Sequence, residues 1–260
     1  MSTGSLVVVG TGIKLAEQCT PEARREIEAA DAVIAASGDP VALKWLTGLN
    51  ANTRSLHVHY KKGRSRKLTY QLMTEDIVTS VREGNRVCAV FYGHPGVFVR
   101  PSHAAIRALR AEGFDATMQP AVSAEDCLFA DIGFDPAATG CQTYEASDWL
   151  INERRFDTRS VLILWQIAVV ADRSYEKLTA DPRRTAVLRD ALLEFYPADH
   201  PVTLYEAATL AVGKTRLETI PLGELDKAES RQETTLYIPP LGPTAPSQAR
   251  LDWIAKRLGG

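Results

Sequence analysis

Phe91-Tyr92-Gly93-His94-Pro95-Gly96-Val97-Phe98, entered directly from Arg86-Val87-Cys88-Ala89-Val90, decides how the chain is read. An apolar run of strand length that breaks off into Gly-His-Pro-Gly predicts a buried strand running out into a loop. Such loops lie at the carboxyl edge where open α/β sheets bind ligands. Pro95 fixes one φ and removes an N–H, and Gly93 and Gly96 carry no Cβ, so the loop is stiff and open to close approach. An ordinary tight strand-to-helix turn would use the same residues, and the flanking sequence has to separate the two readings.

Toward the amino terminus, Leu6-Val7-Val8-Val9 followed by Gly10-Thr11-Gly12 predicts another buried strand opening into a glycine turn. The turn lacks the third glycine of the dinucleotide fingerprint. It also lacks the Gly-Lys-Ser/Thr ending of a phosphate loop, since Lys14 stands between Ile13 and Leu15, and an NAD or ATP site is disfavoured. Thr20-Pro21-Glu22 gives an N-cap, a proline at the first helical position and an early acid, for a helix to about Ala30. A strand over 32–36 and a helix over 40–47 follow, and Ser55-Leu56-His57-Val58 is a short extended piece leading to Tyr60. Lys61-Lys62-Gly63-Arg64-Ser65-Arg66-Lys67 is a dense basic cluster, by itself a solvated loop. The helix over 68–83 has an apolar stripe of Leu68, Leu72, Met73, Ile77, Val78 and Val81; begun near Arg66, it sets Arg66 and Tyr70 at i and i+4 on one face.

Beyond the central loop, a helix over 101–112 stops at Gly113, a strand lies near 116–119, and Ser123 followed by Glu125 and Asp126 has the form of an N-cap with acids in the first turn. Strand and helix alternate to this point. Five strand candidates then follow with few helices between them: 142–145, 161–165, 202–205, 215–220 and 234–238. The chain is therefore expected to be a two-lobed α/β protein: a mostly parallel amino-terminal sheet with helices over 1–119, a mixed or antiparallel lobe over 120–240, and a ligand cleft between them. A tail over 241–260 contains an amphipathic piece, Gln248 to Leu258.

Composition narrows the partners. With 45% hydrophobic and 24% charged residues and a net charge of -2 over 260 residues, nothing favours nucleic acid or an anionic membrane. Cys19, Cys88, Cys127 and Cys141 show neither Cys-x-x-Cys spacing nor nearby histidines, which disfavours a metal site and a disulfide framework and suits a reducing cytoplasm. No signal core is visible, and the longest apolar run, Val161 to Ala171, is interrupted by Gln166 and too short to span a bilayer.

The glycine turn after the first strand, YGHPGVF at Tyr92 to Phe98 and VSAEDCLFADIG at Val122 to Gly133 resemble the tetrapyrrole methylase superfamily. Within it the chain looks most like the borosin peptide backbone α-N-methyltransferases, whose founding members make omphalotin-type fungal peptides. The resemblance implies an S-adenosylmethionine donor, with S-adenosylhomocysteine as product, next to Tyr92, His94, Val97 and Phe98, then Ser123 and Ala124. Shorter local matches add Gln166, Tyr205, Ala207 and Thr234. For Val97, Phe98 and Ala124, core packing is the alternative to a donor contact.

Tyr60, Arg66 and Tyr70 match the borosin catalytic motif in order and spacing, which implies a tyrosine base assisted by arginine and lifts the basic cluster above a mere solvated loop. His57 departs from the family, whose fungal members carry tyrosine there; it either holds the acceptor or packs. The fungal enzymes continue into a helical clasp and a fused apolar substrate peptide. No Val/Ile-rich core follows here before Gly260, so a separately encoded precursor peptide is expected, as in split bacterial systems. The resemblance further implies a homodimer, forming a heterotetramer with two precursors. Two other functions stay open on the sequence: a tetrapyrrole or other small-molecule methyltransferase, and a donor-binding module without catalysis.

Overall fold

The computed structural model describes residues 4–61, 63–172 and 181–259. Contacts group the described residues into two compact units, one of 4–133 with 207–216, the other of 134–172, 181–206 and 217–259. The sequence expectation divides the chain after residue 119. Helix 124–132 and segment 207–216 instead fall with the first unit, and side-chain and backbone bonds account for it. Gln18 Nε2 meets Cys127 Sγ at 3.6 Å, Leu15 N donates to Thr209 O at 3.1 Å, and Thr215 Oγ1 donates to Asp131 at 3.2 Å.

The first unit runs β1 (Ser5–Gly10), α1 (Pro21–Ala29), β2 (Ala32–Ala36), α2 (Pro40–Leu49), β3 (Thr53–Ser55), α3 (Arg66–Arg82), β4 (Arg86–Phe91), α4 (Arg100–Ala111), β5 (Asp115–Met118) and α5 (Ala124–Ile132). Its five strands are parallel, in the order β3-β2-β4-β1-β5. Side chains alternate along each strand, so both faces are apolar. Leu6, Val8, Val87, Ala89 and Ile34 pack with Met73, Ile77 and Leu109 of α3 and α4, while Val9, Cys88, Val90, Val33 and Ala35 pack with Ile27 and Leu46 of α1 and α2.

Caps set the helix starts: Thr20, as the sequence implied, accepts from Ala23 N at 3.0 Å, and Asp39 and Ser65, not read from the sequence, accept from Val41 N at 2.9 Å and Leu68 N at 3.3 Å. Two expectations change here. Leu68, assigned to the apolar stripe, is 45% exposed. Leu56–His59 form a 3-10 turn rather than an extended piece, because Ser55 Oγ accepts from His57 N at 3.0 Å and bends the chain where β3 ends. Lys62 of the basic cluster lies outside the described residues.

The second unit runs α6 (Pro136–Thr139), β6 (Cys141–Glu145), α7 (Ala146–Ile151), β7 (Val161–Trp165), α8 (Pro182–Leu192), β8 (Pro201–Glu206), β9 (Arg216–Pro221), β10 (Thr235–Ile238) and α9 (Gln248–Leu258). Its sheet, ordered β6-β7-β10-β8-β9, is mixed: β6 and β7 are parallel, and β10 is antiparallel to both β7 and β8. Helix α8 was not anticipated. Asp181 caps it through Arg183 N at 3.0 Å ahead of Pro182, the device that also starts α1 and α2, and Leu188 and Leu192 bury its inner face.

Candidate active site

The central strands β1 and β4 lie side by side, yet β1 connects onward to β2 on one side and β4 to β5 on the other. Strand ends where connections diverge in this way leave a crevice at the carboxyl edge. The two glycine loops line it, tied to each other by Thr11 N to Phe91 O at 2.9 Å and Gly93 N to Gly12 O at 3.0 Å. Gly12 and Gly93 have φ of 71° and 67°, where a side chain is disfavoured. Beside them opens a cavity of about 430 Å³, within the usual ~300–1,000 Å³ of small-molecule sites. Its walls are largely apolar, with Ile13, Val41 and Phe91 among them; its polar groups are Thr11, Ser37, Asp39 and Thr209, and Tyr92 is on its lining.

An adjoining pocket of about 180 Å³ shares Ala36, Gly38 and Phe91 with this cavity, and His57, Tyr60, Tyr70 and Phe98 line it. The Tyr60 and Tyr70 phenols interact there. Burial pushes the Tyr60 phenol up to about 12, the charge and hydrogen bond of Tyr70 add to the rise, and Arg66 works against it. Tyr60 therefore holds its proton at neutral pH. Among the described residues Arg66 forms no ion pair. The His57 ring lies against Gly38, where a β-carbon would come within 2.5–2.8 Å of three ring atoms, and is tilted against Tyr60 with centroids 4.7 Å apart. The ring thus touches both Gly38 and the Tyr60 ring.

The rest of the expected set is spread more widely. His94 Nδ1 accepts from Gly96 N at 3.0 Å, and His103 Nε2 meets Gly96 O at 2.8 Å, so two histidines brace the peptides on either side of Gly96. Val97 and Phe98 are exposed, and Phe98 holds φ 56°, a conformation that costs a non-glycine residue energy and concentrates at functional sites. Ser123 caps α5: its N–H and hydroxyl each donate to Asp126 Oδ2 at 2.7 Å, and Ala124 is the first helical residue. Ala207 lines a third pocket, of about 210 Å³, with Gln18, Asp126 and Cys127. Gln166, Tyr205 and Thr234 belong to the second unit. Gln166 has φ 60° ahead of a 3-10 turn, Tyr205 is buried, and the Thr234 hydroxyl donates to Glu206 Oε1 at 2.6 Å while accepting from Arg231 N at 2.7 Å.

Two residues of the first unit were not singled out from sequence. Asp39 faces the large cavity while capping α2, and no motif marks it. Gln119, one residue past β5, donates its N–H to Val8 O at 2.9 Å, but its side-chain Oε1 is buried with no hydrogen-bond partner. A buried acceptor left open is costly unless a ligand donor meets it.

Residues 5–226 match the family model for Tetrapyrrole (Corrin/Porphyrin) Methylases. The chain belongs to the tetrapyrrole methylase family. Enzymes of this family are S-adenosylmethionine-dependent methyltransferases. Two solved members share the fold: uroporphyrin-III C-methyltransferase from Thermus thermophilus, at TM-score 0.63 and 19% identity over 91% of this chain and 92% of that one, and cobalt precorrin-4 methyltransferase, at 0.64 and 16% over 92% and 95%. Nearer in sequence are fused methyltransferase and cyclic-peptide precursors. That of dendrothelin A from Dendrothele bispora is 43% identical, and that of omphalotin A from Omphalotus olearius 42%, each over 91% of this chain. The type II borosin precursor of Phlebiopsis gigantea is 36% identical over 92%. This tetrapyrrole methylase spans 58% of the length of the first two and 44% of the third.

Proposed function

We propose that this protein methylates backbone amide nitrogens of a precursor peptide, with S-adenosylmethionine as donor. The observation that carries the reading is the Tyr60–Tyr70 pair lining one pocket, with Arg66 one helical turn from Tyr70, beside the large cavity whose wall it shares. The donor, when bound, supplies an electrophilic methyl group on a sulfonium. The residues lining the cavity fit it: the Asp39 carboxylate with Thr11 and Ser37 for its amino and hydroxyl groups, and apolar and aromatic walls at Phe91 and Tyr92. His94, Val97, Phe98, Ser123, Ala124 and Ala207 complete the proposed donor set in the first unit.

An amide nitrogen is a poor nucleophile because its lone pair is delocalised into the carbonyl. Tyr70, entering as the phenolate, takes the N–H proton and becomes the phenol, and the Arg66 guanidinium stabilises the negative charge that develops on the carbonyl oxygen. Tyr60, its proton held by burial, donates to the Tyr70 oxygen and orients the pair. Val58 and Leu68, 66% and 45% exposed on either side of the catalytic segment, and Val97 and Phe98 on the central loop offer apolar surface to an extended chain. In this reading the peptide is a separately encoded precursor, and the enzyme is a homodimer that binds two such chains as a heterotetramer.

The test is mass spectrometry of a candidate precursor peptide co-expressed with the protein, followed by light scattering of the pair. Additions in steps of about 14 mass units on backbone nitrogens support the proposal. Methylation of a tetrapyrrole, with every candidate peptide unmodified, replaces it with the small-molecule reading. Binding of the donor without turnover on either replaces it with a binding module.

A further inference from the structure

We propose that Asp76 is a positioning residue that, through His59 and Arg54, sets the Tyr60 phenol against Tyr70; this rests on the catalytic reading of that pair. Asp76 lies in the middle of α3 with its side chain 19% exposed. Its Oδ2 accepts from His59 Nε2 at 2.9 Å, and its Oδ1 accepts from Arg54 Nη1. Arg54 belongs to β3 and His59 ends the 3-10 turn, so one carboxylate pins both ends of the segment that delivers Tyr60. Arg64 Nη1 closes the same segment from the other side, donating to His59 O at 2.8 Å, and Leu56 is wholly buried between the pinned ends.

Tyr60 follows His59 directly and is 40% exposed; its ring meets His57 and its phenol meets Tyr70, and both contacts depend on where the turn that ends at His59 is held. Tyr70 and Asp76 stand six residues apart on one rigid helix, about 9 Å along its axis. The helix thus grips the catalytic segment at two levels, by the carboxylate at one and by the tyrosine pair at the other. Partly exposed ion pairs of this kind contribute little to stability. What the arrangement supplies is geometry, and misplacement by about 1 Å can cost a reaction ~100-fold.

The experiment uses the full chain with its precursor peptide, in four forms: wild type, Asp76→Ala, Asp76→Asn and Asp76→Ala combined with Tyr60→Phe. Asp76→Ala is expected to lower kcat by about 10- to 100-fold with KM unchanged. Asp76→Asn, which keeps one acceptor and guards against a folding defect, is expected to recover part of the loss. In the Tyr60→Phe background Asp76→Ala is expected to add less than about 2-fold, because a residue acting through Tyr60 has nothing further to lose. Wild-type kcat in Asp76→Ala, or fully additive losses in the double variant, overturns the proposal. Hydrogen exchange over residues 53–60, measured without substrate, is expected to quicken in Asp76→Ala. Unchanged exchange overturns the clamp even if methylation is seen, whereas faster exchange in a protein that methylates no peptide upholds the clamp and removes only the reaction.

Discussion

Replacing Gly10 with alanine should damage both the fold and the site, by an amount the geometry bounds. A β-carbon at Gly10 would stand 2.1 Å from the Gly93 carbonyl oxygen, 2.7 Å from Ala121 Cβ and 2.8 Å from Pro95 Cδ. None of these is the end of a flexible side chain, so no rotamer change relieves the contact. Either β1 parts from its neighbours, which are paired with it along its length, or the central loop lifts and breaks the bonds from Thr11 N and Gly93 N. Overpacking of a close-packed interior costs ~1–3 kcal/mol, and three contacts below 3 Å at once place this substitution at about the upper figure. For a chain of this size that corresponds to a fall in Tm of ~6–12 °C. Calorimetric melting of the wild type and Gly10→Ala, with S-adenosylmethionine titration of each, measures it, and donor affinity should fall along with Tm. A Tm within about 2 °C of wild type with donor affinity intact would refute the claim that the two glycine loops are in contact by necessity.

Other outcomes follow from single groups. Tyr60 keeps its proton to a higher pH in the folded chain than in the unfolded one, so its stabilising share is complete below about pH 10 and is lost as pH rises toward 12. Tyr60→Phe should therefore lose less stability than wild type between pH 10 and 12 in chemical denaturation, and parallel curves would contradict the assignment. Ser123→Ala removes a capping box and should cost about 1 kcal/mol in the same assay; no loss would mean that the Ser123–Asp126 bonds contribute nothing. Arg66→Ala should slow methylation at least ~100-fold while donor affinity in calorimetry stays near wild type, and a large fall in donor affinity would reassign Arg66 to the donor site.

Much of the first unit could be read from the chain because its signals are local. Apolar runs ending in Gly10 and Gly93 gave the central strands, Thr20-Pro21 and Ser123 the helix starts, and the i, i+4 spacing of Arg66 and Tyr70 the face they share on α3. What escaped depends on contacts between distant residues. The turn at Leu56–His59 needs Ser55 as a cap, His57 is seated only because Gly38 lacks a β-carbon, and Asp76 meets Arg54 and His59 only once α3 has packed on β3. Segment 207–216 joins the first unit through Leu15 and Asp131, partners about 80 to 200 residues away in sequence that no local pattern reveals. Helix α8 is a different case, since its cap signal at Asp181-Pro182 is local, of the same kind as Thr20-Pro21, and lies between strand candidates.

Tyr70→Phe tests the central claim most directly, because it removes one oxygen from the pair assigned to take the amide proton and little else. The measurement is the mass of the precursor peptide after incubation with S-adenosylmethionine and either wild type or Tyr70→Phe, with donor affinity of both determined by calorimetry. The account predicts stepwise additions of about 14 mass units with wild type, a rate at least ~100-fold lower with Tyr70→Phe, and nearly equal donor affinity. A Tyr70→Phe enzyme that methylates the peptide at the wild-type rate would contradict it and remove Tyr70 as the base.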